Sequence, residues 1–182
     1  DIQKSRYARS GNPGADYIRA GYPSTRQLTG NQTFMSLQEI IKPDGVLCNA
    51  TARSKKHCIE ILSELLIRNN PDIVGDDIFE HLVTRERLGC TGMGKGAAFP
   101  HCRVEGIDES VAVLIKLSEP VDFDAPDGEP VDLILGMMVP VEIDDSHRAD
   151  IKLITDLLAD AGLRARLREM IDRLSYVRGA TL

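Results

Sequence analysis

No apolar run in the sequence reaches the roughly 18 residues that a membrane helix needs, and no early apolar block reads as a signal peptide. A cytoplasmic protein without membrane insertion is the expectation. Positive charge is also in short supply: 22 Lys and Arg stand against 28 Asp and Glu, a net charge of -6. Binding to a phosphate backbone needs a surplus of Lys and Arg, so nucleic acid is not expected as the main partner. Cysteine is sparse and unpatterned. The four, Cys48, Cys58, Cys90 and Cys102, form no C-x-x-C pair. His57-Cys58 and His101-Cys102 are sequence neighbours, an unusual spacing for zinc ligands. Reduced thiols and no metal are expected.

What is present is an ordinary globular composition, 42% hydrophobic and 27% charged over 182 residues, enough for one domain with or without an appendage. The charge is uneven. Residues 1–34 carry Lys4, Arg6, Arg9, Arg19 and Arg26 against Asp1 and Asp16, leaving the rest strongly acidic. This stretch holds Gly11, Pro13, Gly14, Gly21, Pro23 and Gly30 but no periodic apolar residues. It is expected to be an extension, cloning-derived or native, outside a single folded domain spanning 35–182; a basic arm for an acidic partner is the alternative.

Helical periodicity begins at Ser36-Leu37-Gln38-Glu39-Ile40-Ile41. From Ser54 to Asn69, Cys58, Ile61, Leu62, Leu65 and Leu66 recur on one helix face. A second helix is expected over Asp76 to about Arg87. Two apolar runs rich in β-branched residues, Val111–Leu117 and Val131–Val139, read as strands separated by the turn signal Pro126-Asp127-Gly128. The last third reads as helix from Ser146 to Ala161, a break at Gly162, then helix from Leu163 to Leu174. Helices before, between and after nearly continuous apolar strands imply a sheet covered on both faces, an α/β class.

The glycine-rich stretch Gly89-Cys90-Thr91-Gly92-Met93-Gly94-Lys95-Gly96 invites a nucleotide-loop reading. It fails. Gly96 stands where a Walker loop needs Ser or Thr, and the chain runs into Pro100 rather than into the helix that would hold phosphates at its N-terminus. A Rossmann turn fails as well, because the residues before Gly89 read as a charged helix end, not a strand. What remains is a loop whose backbone N–H groups can converge on an anion, feeding a short extended segment that ends in Pro100-His101.

Here the residues carry a resemblance. The run Arg85…Leu88-Gly89-x-Thr91-Gly92-x-Gly94-x-Gly96-x-Ala98-x-Pro100-His101 resembles the active-site signature of phosphotransferase-system IIA domains of the fructose/mannitol type. Leu117-Ser118-Glu119-Pro120-Val121-Asp122-Phe123-Asp124, Pro130-Val131-Asp132-Leu133 and His147 resemble the same family. Ala52-Arg53-Ser54-Lys55-Lys56 is similar to its nitrogen-regulatory branch. The resemblance covers about 37–175. It implies a three-layer α/β/α sandwich around a small mixed sheet, and transient phosphorylation of His101 on Nε2 by a histidine phosphocarrier protein.

In that reading His101 must be neutral, with one ring nitrogen free to attack. Backbone N–H groups around Gly92, Gly94 and Gly96 are candidates to meet the phosphoryl oxygens, and Arg85 to add a bidentate contact. His147, behind the candidate caps Asp144, Asp145 and Ser146, is a candidate donor to the same group from a first helical turn. No metal or nucleotide cofactor is required if the donor is itself a phosphohistidine. His57 and His81 are assigned no role. Cys102 stands where the family commonly has Gly, Lys95 where it has Asn, and Arg148 where it has Leu.

A nitrogen-type regulator is the expected function, with two alternatives. A nitrogen-type regulator would signal to downstream regulatory targets through its phosphorylation state. A sugar-specific IIA subunit would pass the phosphate to a permease IIB domain. A phosphorylation-independent binding module, like the related domain of anion exchangers, would not need His101, Arg85 and the glycines together.

Overall fold

The computed structural model describes residues 30–73 and 77–179. In chain order these form α1 (Gly30–Ile40), β1 (Ile41–Ala50), α2 (Lys55–Asn69), α3 (Ile78–Leu88), β2 (Gly92–Gly94), β3 (Ala97–Ala98), β4 (His101–Val104), β5 (Val111–Val121), β6 (Val131–Pro140), α4 (Asp145–Ala159) and α5 (Ala161–Gly179). The boundary drawn at 34/35 therefore falls inside α1, and Thr33 is buried. Residues 1–29, the bulk of the expected extension, lie outside the described residues.

The strands make one mixed sheet in the order β1-β5-β6-β3-β2, with β4 also pairing β6. β5 and β6 are antiparallel, whereas β1 runs parallel to β5, and β3 and β4 run parallel to β6. β6 is the spine of the sheet, and its side chains alternate between two cores. Leu133, Leu135, Met137 and Val139 join Ile154, Leu157, Leu158, Leu167 and Ile171 of α4 and α5 on one side. Ile134 and Met138 join Cys58, Leu62, Leu66, Ile78 and Leu82 of α2 and α3 on the other. Burial on both faces explains why these strands read as unbroken apolar runs rather than alternating ones. The three layers expected are the three observed.

Helix ends follow local chemistry. Ser54 caps α2 by accepting from His57 N–H at 3.2 Å, and Asp77 caps α3 by accepting from Glu80 N–H at 3.0 Å. The break in the last third comes at Asp160 rather than at Gly162. The Asp160 side chain accepts from Leu163 N–H at 2.8 Å, so it starts α5 and Gly162 lies within that helix's first turn.

Two features depart from the sequence pattern. The helical start read from Ser36 belongs to a helix that ends at Ile40, with Ile41 already opening β1. β1 itself carries Lys42, Pro43, Asp44 and Gly45, which argue against a strand. It is tolerated because β1 is an edge strand, and its register with β5 shifts between Ile41 and Val46. The other departure concerns the glycine stretch, which is a β2–β3 hairpin and not an open loop.

Gly136, in the middle of β6, meets Leu62 of α2 so closely that a Cβ there would fall 2.3 Å from a Leu62 methyl carbon. Gly136→Ala is expected to destabilise the fold by about 1–3 kcal/mol, seen as a lower urea midpoint with an unchanged slope. A midpoint equal to that of the parent would show that Leu62 has room to move.

Candidate functional site

The backbone around His101 is held on both sides of Pro100. Phe99 N–H donates to the Thr91 carbonyl at 2.9 Å, and the Pro100 carbonyl accepts from Met137 N–H at 3.1 Å. Proline has no N–H of its own to satisfy, so it sits between β3 and β4 without breaking the register with β6. On this fixed frame the half-buried His101 ring folds back over its own chain. Nδ1 lies 2.9 Å from the Phe99 carbonyl oxygen, and the His101 and Phe99 rings have centroids 4.7 Å apart. A carbonyl only accepts, so Nδ1 carries the proton. In the neutral ring the lone pair is then on Nε2.

The electrostatics favour that neutral ring. Burial pushes the His101 pKa below its ordinary value; the bond to Phe99 opposes this, and the charges of Arg85 and Arg103 reinforce it, with Glu86 pulling the other way. Arg85 lies in the last turn of α3, where one guanidinium N–H donates to the Gly89 carbonyl at 3.0 Å. That bond fastens the arginine to the helix end and leaves further donors on the same planar group. His101 and Arg85 are thus within electrostatic reach of each other.

The glycines divide. Gly92 is buried and pairs with Ala98, and a Cβ on it would lie 3.0 Å from Ala125. Its N–H donates to the Cys90 sulfur at 3.2 Å. Gly94 and Gly96 sit at the hairpin tip around Lys95, all three with positive φ (83°, 54° and 76°). Two consecutive positive values at Lys95 and Gly96 make the tight turn whose twist suits a hairpin. A Cβ would lie 2.9 Å from an Asp127 oxygen at Gly94, and 2.7 Å from the Arg168 guanidinium at Gly96. The Lys95 N–H donates to Asp127 at 2.8 Å, and the Gly96 carbonyl accepts from Asp132 and Leu133 N–H, both at 3.0 Å. Gly96 is aligned with Asp132 and His101 with Met137, so the tip lies roughly 16 Å from His101 along the sheet at about 3.3 Å per residue. Turn geometry and close packing account for Gly94 and Gly96; an anion cradle beside His101 does not.

His147 occupies the first turn of α4, as expected, with Asp144 as the cap. The Asp144 carboxylate accepts from Ser146 N–H at 2.9 Å and from His147 N–H at 3.1 Å. His147 is buried, and both its ring nitrogens are engaged. Nε2 donates to the Asp108 carbonyl at 2.9 Å, while Nδ1 lies 3.2 Å from the Asp144 N–H and 2.9 Å from its carboxylate. The ring ties the chain beyond β4 to the start of α4.

Glu86, Arg103 and the contacts of Lys55 stand near the site without belonging to the motif read from the sequence. Arg103 had a signal: two residues after His101 on the same strand, it shares that strand's face. Glu86 had none, because its partners come from other elements. Its carboxylate takes the Lys55 ammonium at 2.7 Å, the Thr91 N–H at 3.1 Å and the Thr91 hydroxyl. Among the described residues, no group of three or more His, Cys, Asp or Glu side chains gathers to hold a metal ion, and no helix is long and apolar enough to cross a membrane.

Comparison with known proteins identifies the family and the fold. Residues 39–173 match the family described as phosphoenolpyruvate-dependent sugar phosphotransferase system, EIIA 2. A nitrogen regulatory protein of Pseudomonas aeruginosa is 41% identical over 132 residues, covering 72% of this chain and 86% of that one. The 2-O-alpha-mannosyl-D-glycerate-specific EIIABC component of Escherichia coli is 30% identical over 136 residues, which is 74% of this chain but 21% of that longer protein. Among solved structures, nitrogen regulatory protein IIA-Ntr from Neisseria meningitidis superposes with a TM-score of 0.66 at 34% identity, covering 72% of this chain and 90% of that one.

The arrangement at Phe99 has a spectroscopic consequence. Nitrogen-detected NMR across a pH series is expected to find His101 as the Nδ1–H tautomer, with a titration midpoint below the ordinary histidine value of about 6.5. Protonation fills Nε2, so any nucleophilic reactivity of this ring is expected to fall as pH drops through that lowered midpoint and to be full above it. A midpoint at or above the ordinary value, or an Nε2–H tautomer, contradicts the geometry.

Proposed function

Because the chain belongs to the type-2 EIIA family of the phosphoenolpyruvate-dependent phosphotransferase system, we propose that His101 accepts a phosphoryl group on Nε2 and passes it on or holds it as a signal. The observation that carries this reading is the Nδ1–H bond to the Phe99 carbonyl, which leaves Nε2 as the nucleophile in a ring biased towards neutrality. The donor is a histidine phosphocarrier protein. Its P–N bond breaks as a new P–N bond forms at Nε2 of His101, and the donor's imidazole leaves with the electron pair. One phosphoimidazole is exchanged for another, so the transfer is close to balanced in free energy and needs no nucleotide.

Phosphoryl transfer has a loose transition state with negative charge spread over the equatorial oxygens, so the protein's task is to position groups and supply positive charge. Arg85 serves that purpose beside His101, with Arg103 adding to the field. His147 takes part only by exchanging the Asp108 carbonyl for a phosphoryl oxygen at its Nε2–H. Of the three glycines, Gly92 stays a candidate contact; Gly94 and Gly96 are assigned to the turn.

Of the family's two branches, the nitrogen-regulatory one is favoured. The Pseudomonas and Neisseria relatives bear that name, and Ser54-Lys55-Lys56 opens α2 in the manner of that branch. Phosphorylation would then place a dianion beside the positive charges of Arg85 and Arg103, and downstream regulatory targets would read that change. The mannosylglycerate relative supports a second reading, in which the phosphate goes on to a permease IIB domain.

The test is to mix the protein with phosphoenolpyruvate, enzyme I and either the sugar or the nitrogen phosphocarrier. Acid-labile label is expected on the parent and none on His101→Ala, with Arg85→Ala labelled about a hundredfold more slowly. Label persisting in the His101 variant overturns the site, and preference for the sugar phosphocarrier favours the second reading.

A further inference from the structure

Glu86 is a carboxylate with a nearly closed shell. Its side chain is 9% exposed, and three donors from two other parts of the chain converge on it: the Lys55 ammonium from the first turn of α2, and the N–H and hydroxyl of Thr91. Lys55 is itself held from several sides. It reaches Asp124 at 3.1 Å and lies 5.3 Å from the centroid of the Phe123 ring. The Cys90 sulfur in turn donates to the Phe123 carbonyl at 3.1 Å. Buried carboxylates with this much hydrogen bonding fix the parts that donate to them.

Those parts bound the site. Thr91, whose amide and hydroxyl bind Glu86, presents its carbonyl to Phe99 N–H. Phe99 in turn presents its carbonyl to His101 Nδ1. Arg85, on the residue before Glu86, is tied to the Gly89 carbonyl in the same loop. We propose that Glu86, clamped by Lys55 and Thr91, is the positioning residue of this site: it locks loop 89–92 to the end of α3 and thereby sets where Arg85 stands relative to the His101 ring. The inference rests on the carrier reading of His101. Glu86 touches no phosphoryl group in it and acts through Arg85, Thr91 and Phe99.

The same placement gives Glu86 a second effect. The charges facing His101 are Arg85 and Glu86 from α3 and Arg103 from its own strand, and Glu86 alone among them favours the protonated ring. Lys55 offsets that carboxylate from α2. Removing Glu86's charge and removing Lys55's charge are therefore expected to move His101 in opposite directions, which loss of shape alone would not do.

The experiment compares Glu86→Gln and Lys55→Met with the parent, using the His101 titration midpoint by NMR and the rate of labelling by phosphoramidate, a small donor that needs no protein docking. The midpoint is expected to fall in Glu86→Gln and rise in Lys55→Met, with labelling at least about tenfold slower in Glu86→Gln. Midpoints that move together or not at all, or parent-rate labelling of Glu86→Gln, overturn the proposal. If Glu86→Gln does not fold, Thr91→Val, which loses the hydroxyl that Glu86 accepts, decides instead: labelling about tenfold slower supports the proposal, and parent-rate labelling overturns it. A parent protein that no donor labels ends the carrier reading and this inference with it, whereas a labelled parent with an equally labelled Glu86→Gln overturns this inference alone.

Discussion

An imidazole has two nitrogens, and a backbone carbonyl can only accept. Much of this molecule is arranged so that the Phe99 carbonyl meets one particular nitrogen of His101. For that contact to hold, the chain must turn at Pro100 without losing its pairing to β6, and Phe99 must be anchored at its N–H as well as at its carbonyl. Thr91 supplies the anchor, and Thr91 is in turn gripped by Glu86. A single tautomer thus depends on a chain of contacts that runs from α2 through α3 and the loop to β4. The chemistry proposed for Nε2 is the far end of that chain.

The central strand makes this possible. β6 pairs with three other strands and carries apolar side chains to both faces, so whatever lies against it is held by two cores at once. β3 and β4 together are six residues long and would not persist as strands alone. Laid parallel to β6, they become a rigid shelf, with the hairpin tip at one end and His101 beyond Pro100. The tip is fixed separately by Asp132, which receives Arg168 at 2.7 Å and Lys116 at 3.1 Å. Glycine is needed at the tip for backbone shape, well away from the histidine. The same residue type therefore serves two ends within one short motif.

His147 shows how a residue can be placed correctly and connected differently. The run Asp144-Asp145-Ser146 marks a helix start, and a helix starts there with Asp144 as its cap. Its imidazole, however, closes a capping box and bonds the Asp108 carbonyl, joining the chain after β4 to α4. Whatever it contributes beside a phosphoryl group competes with that structural bond. Arg85 is the contrasting case, since its tie to Gly89 occupies one donor of a group that has five.

The amino-acid sequence alone determined the elements whose signals are local: α2 from its apolar face, α4 from the candidate caps Asp144, Asp145 and Ser146, and the buried strands β5 and β6 from their unbroken apolar runs. These depend on periods of two or 3.6 residues and on neighbours a few positions away, which a linear reading can see. Only the tertiary structure decided β1, whose Pro43 and Gly45 are acceptable solely because it lies at the sheet's edge. It alone separated the turn glycines from Gly92, chose the partner of His147, and brought Lys55, Glu86 and Thr91 together. Most of those outcomes depend on a contact between segments distant in the chain, such as β1 with β5, His147 with Asp108, and Lys55 with Glu86, and no residue in isolation announces which carbonyl or carboxylate will stand opposite it.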